Sequence, residues 1–283
     1  MLPSVQMMLS QSWEVYKKNW KTLTSFLVLS TLVMIALMII PFIVFFAGMF
    51  SGLIVLSILG GLLGLAGILY IFYFSMKISV GFYLCTMHAL KNHQVPPLRE
   101  GLKQSKPVIW KYIGVSLIVT LIIALPFVVG MFGFLTQVTN LFSLESYGEP
   151  LVFSFNSEIS TLFFLLLTVY GFFHALYFST VYGPSIYGVI FDRKSIKESL
   201  PWGKSLVQGR WWSVFWRLLG PALVYGVVYL LGETVLFLLA LFVPEFLYAI
   251  FEFIIMVFMV FFVAVPLVYI PEIILYENLK KRS

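Results

Sequence analysis

Apolar residues run along this chain in six long stretches, roughly 22–48, 53–90, 112–135, 159–191, 214–243 and 246–276, parted by polar connections. Each is long enough to carry a helix across about 30 Å of hydrocarbon. Lipid offers the backbone no hydrogen-bond partners, so only helices or closed barrels span it. Barrel strands are about ten residues of alternating polarity, and these stretches are longer and uniformly apolar. The pattern therefore predicts an all-α fold, a polytopic bundle of six transmembrane helices.

Composition agrees. Of 283 residues, 61% are hydrophobic and 11% charged, against about 25% charged in soluble proteins. A soluble globule of this size has no place to hide so much apolar surface, so membrane lipids are the expected surroundings. The first 21 residues carry Glu14, Lys17, Lys18 and Lys21 and no isolated apolar core, so no cleavable signal peptide is expected there. Cys85, the one cysteine, excludes an internal disulfide and a multi-cysteine metal cluster.

Charge placement then orients the spans. Every Lys and Arg except Lys77 lies before the first span, between spans two and three, between spans four and five, or after span six. The other connections lack Lys and Arg but hold or border Glu145, Glu149, Glu158, Glu233, Glu245 and Glu252. Cations near span ends mark the cytoplasmic side, so both termini are expected inside, in the cell (inner, cytoplasmic) membrane. The net charge of +6 is thereby assigned to anionic headgroups and not to nucleic acid. All seven tryptophans, Trp13, Trp20, Trp110, Trp202, Trp211, Trp212 and Trp216, fall in those basic regions, and indole favours the headgroup level. "RWWSVFWR" (210–217) reads as a helix entering from the cytoplasm, with Arg210 and Arg217 snorkelling toward water and lipid phosphate.

The arrangement recurs about every 100 residues. Pseudo-repeats over approximately 1–95, 96–194 and 195–283 each hold a basic lead-in, a span outward, a span back and a polar end, within a single transmembrane domain. The lead-ins are "SWEVYKKNWKTL" (12–23), "LREGLKQSKPVIWKYI" (98–113) and "SIKESLPWGKSLVQGRWWSVF" (195–215); the returning spans end in "ALKN", "IFDRK" and "LYENLKK". In the first lead-in Val5, Leu9, Trp13, Tyr16, Trp20 and Leu23 recur at helical spacing, the pattern of an interfacial amphipathic helix. Ser195 and Glu198 have capping-box spacing. The lead-ins either anchor and orient the bundle or dock a cytoplasmic protein partner such as an ATPase.

"SWEVYKKNW" before span one, combined with "YGVIFDRKSIKESLPWGKSLVQGRWWSVF" after span four, resembles a broad family of six-span prokaryotic membrane domains. It is similar to the membrane domain fused to glycerophosphodiester phosphodiesterases and to related stand-alone integral membrane proteins. Glu198, Leu200, Trp202, Ser205, Leu206, Val207, Gly209 and Trp211 occupy places comparable to the family's short polar-turn helix. The resemblance implies a fold and a membrane location. The chain has no soluble phosphodiesterase domain, so that activity is not carried over.

Enzyme signatures fail by counting. Asp192 is the one aspartate; His88, His93 and His174 lack metal-ligand spacing; no glycine-rich phosphate loop occurs; and "GPSIYG" is not a nucleophile elbow. No catalytic residue, metal or cofactor is expected. The outer carboxylates read as solvated interfacial groups. Gly60, Gly64 and Gly67 suit close helix approach, and Pro41, Pro126, Pro184, Pro221, Pro266 and Pro271 suit bends.

Lys77 and His174 stand out. Aligning the returning spans on Asn92, Asp192 and Glu277 sets Lys77 level with Tyr177 and Phe262, about 15 Å inside the inner interface. Counting from Leu53 instead puts it about 36 Å from the outer end, at the cytoplasmic surface; the two counts differ because "GGLLGLAG" (60–67) reads either as the outer turn or as a close contact. The expected polar centre is Lys77, Tyr170, His174 and Tyr177, binding an anionic headgroup or relaying protons; the alternative is a snorkelling lysine and a neutral, hydrogen-bonded histidine. The leading expectation is a non-enzymatic integral membrane protein, a lipid-associated accessory, scaffold or lipid-handling component. The rival is a transporter or permease subunit working with a separate ATPase. Oligomeric state is not fixed by the sequence.

Overall fold

The computed structural model describes residues 2–51, 54–92, 94–146, 155–240 and 242–282. His93, Glu149 and the side chains of Pro41, Glu145, Glu158, Glu245 and Phe262 lie outside the described residues. Within them the chain is helical and holds no strand. The elements are α1 (Val5–Ser51), α2 (Ile54–Asn92), α3 (Leu98–Ser105), α4 (Ile109–Ser146), α5 (Phe155–Asp192), α6 (Ile196–Val207), α7 (Trp211–Ala240) and α8 (Glu245–Phe258). A π-helical segment (Met259–Tyr269) then leads without a break into α9 (Ile270–Lys280).

Among the described residues, four helical stretches are long and apolar enough to cross a membrane: Ile58–Asn92, Ile109–Thr139, Ile159–Asp192 and Trp211–Ala240. Their apolar side chains are mostly exposed, including Leu62, Leu121, Leu166 and Leu230. In water such surface is unfavourable; in hydrocarbon it is the expected outer face.

The chain divides into two compact units, one of Met1–Tyr112 with Trp212–Ser283, the other of Ile113–Trp211. The first is built on α1 and α2, which pack antiparallel: Phe26 meets Phe82 edge-to-face at 6.3 Å, and Asn19 Oδ1 accepts the Val95 N–H at 3.2 Å. The first lead-in is not a separate interfacial helix. It is the start of α1, whose 47 residues form one rod, about 70 Å long. The packing stripe also differs from the expected one. Met8, Ser12, Val15, Tyr16, Leu23 and Phe26 are buried, while Trp13 and Trp20 face outward. The reason is that the rings prefer a half-wet site, leaving smaller neighbours to face α2 and α9.

In the second and third lead-ins the short helices are separate. Pro96 and Pro97 end the run of α2 and set the start of α3. Gly101 lets α3 lie on α2: a β-carbon there would sit 2.5 Å from Cys85 Sγ and 3.3 Å from Gly81 O. "GGLLGLAG" lies inside α2 and is not a turn. α6 opens with the capping box its spacing predicts, Glu198 N donating to Ser195 Oγ and Ser195 N to Glu198 Oε2. It ends before Gly209, whose φ of +74° suits a residue without a β-carbon.

The second unit holds an antiparallel pair, α4 and α5, in close approach through glycines. Added β-carbons at Gly130 and Gly171 would run into main-chain atoms of Thr168 and Phe127. Small residues at such positions bring transmembrane helices into dispersion contact.

Candidate functional site

The expected polar centre divides between the units. Lys77 is on α2 in the first; Tyr170, His174 and Tyr177 are on α5 in the second. On α5, His174 packs at a tilt against Phe178 at 4.3 Å and Tyr170 at 5.7 Å between ring centroids. Its buried Nδ1 has no hydrogen-bond partner. Tyr177 belongs to a different contact: it stacks on Trp211 at 5.4 Å, and Trp211 Nε1 donates to the Tyr177 carbonyl at 3.3 Å. Lys77 is half-buried, and among the described residues no carboxylate pairs with it. Ser185, of the "GPSIYG" stretch, is sealed beneath Gly203 of α6, out of a substrate's reach.

The residues expected at the membrane interface take several forms. Trp13, Trp20, Trp110, Trp212 and Trp216 are exposed. Trp202 is half-buried with Lys194 Nζ 4.2 Å above its ring, a cation–π contact. Arg210 and Trp211 are half-buried at the start of α7. Arg217 reaches protein, not water: Nε donates to Pro3 O (2.6 Å), Nη2 to Leu2 O (3.2 Å) and Nη1 to Ser213 O and Oγ (2.7 Å each). A planar fork with five donors is suited to holding several carbonyls at once, and it fastens the segment ahead of α1 to α7.

The most developed polar geometry of the first unit lies where α1, α2 and α9 meet. Two cavities share Gln11 and Leu90 as lining. One, of about 340 Å³, is completed by Lys91, Ile274, Glu277, Asn278 and Lys281. The other, of about 110 Å³, is completed by Glu14, Val15, Lys18, Asn19 and Ala89. Together they form a groove with an apolar floor and charged walls. Lys91 Nζ lies 3.7 Å from Glu277 Oε1, longer than a hydrogen bond. Asn19 is committed on both ends, donating to Val15 O and accepting from Val95 N. Asn278 Nδ2 donates to Ile274 O, which leaves its oxygen available.

Two features fix the groove's walls. Ser12 Oγ donates to the Pro266 carbonyl, drawing α1 onto the π-helical segment. That carbonyl needs an outside donor, because Ile270 N–H goes to Val265 O and the next residue, Pro271, has no N–H. Below the groove, Ile270, Ile273, Ile274 and Tyr276 are buried with Met8, Val15 and Ala89.

Compared with protein-family models, with curated proteins and with solved structures, the chain matches none. The site therefore rests on its own geometry. Most of the groove escaped sequence reasoning: Gln11, Asn19, Lys91, Glu277, Asn278 and Lys281 are separated by up to 270 residues, 281 minus 11. A signal was present, since "ALKN" and "LYENLKK" occupy equivalent places in the expected repeat, and the structure brings Leu90 and Lys91 of the one beside Glu277 and Asn278 of the other.

A second small cavity, about 90 Å³, lies between α7 and α8 and is lined by Tyr229, Glu233, Leu236, Glu252, Ile255, Met256 and Met259. Glu233 and Glu252, carboxylates expected at the interface, thus share one pocket.

Proposed function

We propose that this protein is a non-enzymatic, six-span integral membrane protein that works with phospholipids, as a lipid-associated accessory or lipid-handling component, with both termini cytoplasmic. In this reading α1, α2, α4, α5, α7 and the rod from α8 to α9 are the six spans, arranged as three hairpins. The resemblance to six-span prokaryotic membrane domains is consistent with it and rests on the motifs alone.

The observation that carries the reading is position. The groove residues Gln11, Glu14, Val15, Lys18 and Asn19 interleave along α1 with the exposed Trp13 and Trp20. Indoles settle at the headgroup level, so a charged groove at that level faces headgroups and not acyl chains. In this frame Lys77, 14 residues and about 21 Å along α2 from the groove's Lys91, lies on the membrane side of the groove, within the span.

The test is retention of lipid. The full chain, extracted in mild detergent and washed, keeps phospholipid at about one or more molecules per chain when measured by mass spectrometry. A chain that emerges lipid-free contradicts the reading. The transporter alternative draws on the pocket of Glu233 and Glu252. Solute flux in reconstituted vesicles that is abolished by Glu252→Gln would favour it.

A further inference from the structure

We infer that the groove between α1, α2 and α9 binds a zwitterionic aminoethyl-phosphate group: a phosphate and a primary ammonium two carbons apart, as on an ethanolamine phospholipid. This rests on the lipid-associated reading above and names the headgroup.

The walls carry both signs. Lys18, Lys91 and Lys281 are the cations; Glu14 and Glu277 are the carboxylates. They alternate along the groove. Glu14 and Lys18 are a turn apart on α1, Lys91 and Glu277 face each other at 3.7 Å, and Lys281 follows Glu277 by a turn. Among the described residues neither Glu14, Lys18 nor Lys281 has an ion-pair partner within 4.0 Å. A simple phosphate anion would meet the lysines but also two carboxylates. A simple ammonium would meet three lysines. A group that carries both charges pairs with both walls at once.

The acceptors choose the kind of ammonium. Quaternary ammonium groups are recognised by aromatic faces, and among the described residues no aromatic side chain lines either cavity. Glu14, Glu277 and the oxygens of Gln11 and Asn278 are instead hydrogen-bond acceptors, which suit N–H donors. The larger cavity, about 340 Å³, falls at the small end of ligand sites. Its apolar floor of Leu90 and Ile274 receives the methylenes, and Val15 and Ala89 continue that floor into the smaller cavity.

The chemistry is shared by an ethanolamine lipid in the bilayer and by free phosphoethanolamine, and two arms separate them. In the first, the full chain in nanodiscs of equal phosphatidylethanolamine, phosphatidylcholine and phosphatidylglycerol is delipidated stepwise, and retained lipid is counted by native mass spectrometry. The ethanolamine lipid is retained preferentially. Glu14→Gln lowers its retention about tenfold, the scale of one hydrogen bond to a charged group, and leaves phosphatidylglycerol unchanged. Lys18→Gln combined with Lys281→Gln lowers retention of both lipids. All three side chains are exposed, so the fold is not at stake. Equal retention of the three lipids, or no effect of Glu14→Gln, overturns the headgroup assignment while lipid association stands. Loss of all lipid from the unaltered chain overturns the underlying reading as well.

In the second arm, the thermal midpoint of the detergent-solubilised protein is followed with phosphoethanolamine or inorganic phosphate. A rise with phosphoethanolamine alone supports the assignment with a water-soluble source. No rise with either, alongside ethanolamine-lipid selectivity, supports the lipid source. An equal rise with inorganic phosphate overturns the ammonium half of the proposal.

Discussion

At the residue scale, Ser12 shows how one side chain settles a local fault. Pro271 removes the donor that the π-helical segment needs for the Pro266 carbonyl, and Ser12 supplies it from another helix. Ser12→Ala leaves that carbonyl buried without a partner, and the cost is about 1–3 kcal/mol. A lower thermal midpoint in detergent reads it. Tyr16 is buried beside the same seam, and burial lifts its phenol above the ordinary value of 10.0. The unfolded chain therefore gives up this proton first as pH climbs, so stability that is intact at neutral pH falls above about pH 10. Tyr16→Phe removes that decline, measurable as a flatter midpoint-against-pH curve between pH 9 and 11.

At the element scale, helix type and much of the punctuation were legible from the residues. Long uniform apolar runs can only be helices in lipid, the Ser195–Glu198 capping box formed as its spacing implies, and proline pairs mark where α2 stops. The first lead-in was misread because Val5, Leu9, Trp13, Tyr16, Trp20 and Leu23 look like one apolar face. A stripe of tryptophan marks a half-wet edge, and the packed face is the neighbouring one of Met8, Ser12, Val15 and Phe26. Spacing drew attention to Gly60, Gly64 and Gly67 and passed over Gly130, where an added β-carbon would sit 2.5 Å from the Thr168 main chain. Which glycine is crowded depends on the partner helix, and a single sequence does not display it. Gly130→Ala should push α4 from α5, because main chain cannot turn aside as a side chain can. The expected loss is about 1–3 kcal/mol, and an equally stable variant would mean the pair is looser than described.

At the scale of the whole molecule, the groove's residues come from both ends of the chain, so no local motif displays them. The expected repeat hinted at their equivalence, but juxtaposition needed the seating of α1, α2 and α9 against one another. His174 and Lys77, singled out for intramembrane polarity, lie in different compact units. In the proposed reading, what organises the chain is the sorting of cations and indoles to one set of span ends, and it is this sorting that sets the groove at the headgroups of the cytosolic leaflet.

Single cysteines placed at Pro150, Val243, Gln208 and Lys281, in a Cys85→Ala background whose lost thiol is buried, test that claim most directly. With a membrane-impermeant thiol reagent on intact cells, Pro150→Cys and Val243→Cys are labelled at once, while Gln208→Cys and Lys281→Cys react only after permeabilisation. Labelling of Pro150→Cys and Lys281→Cys from the same side would contradict the account.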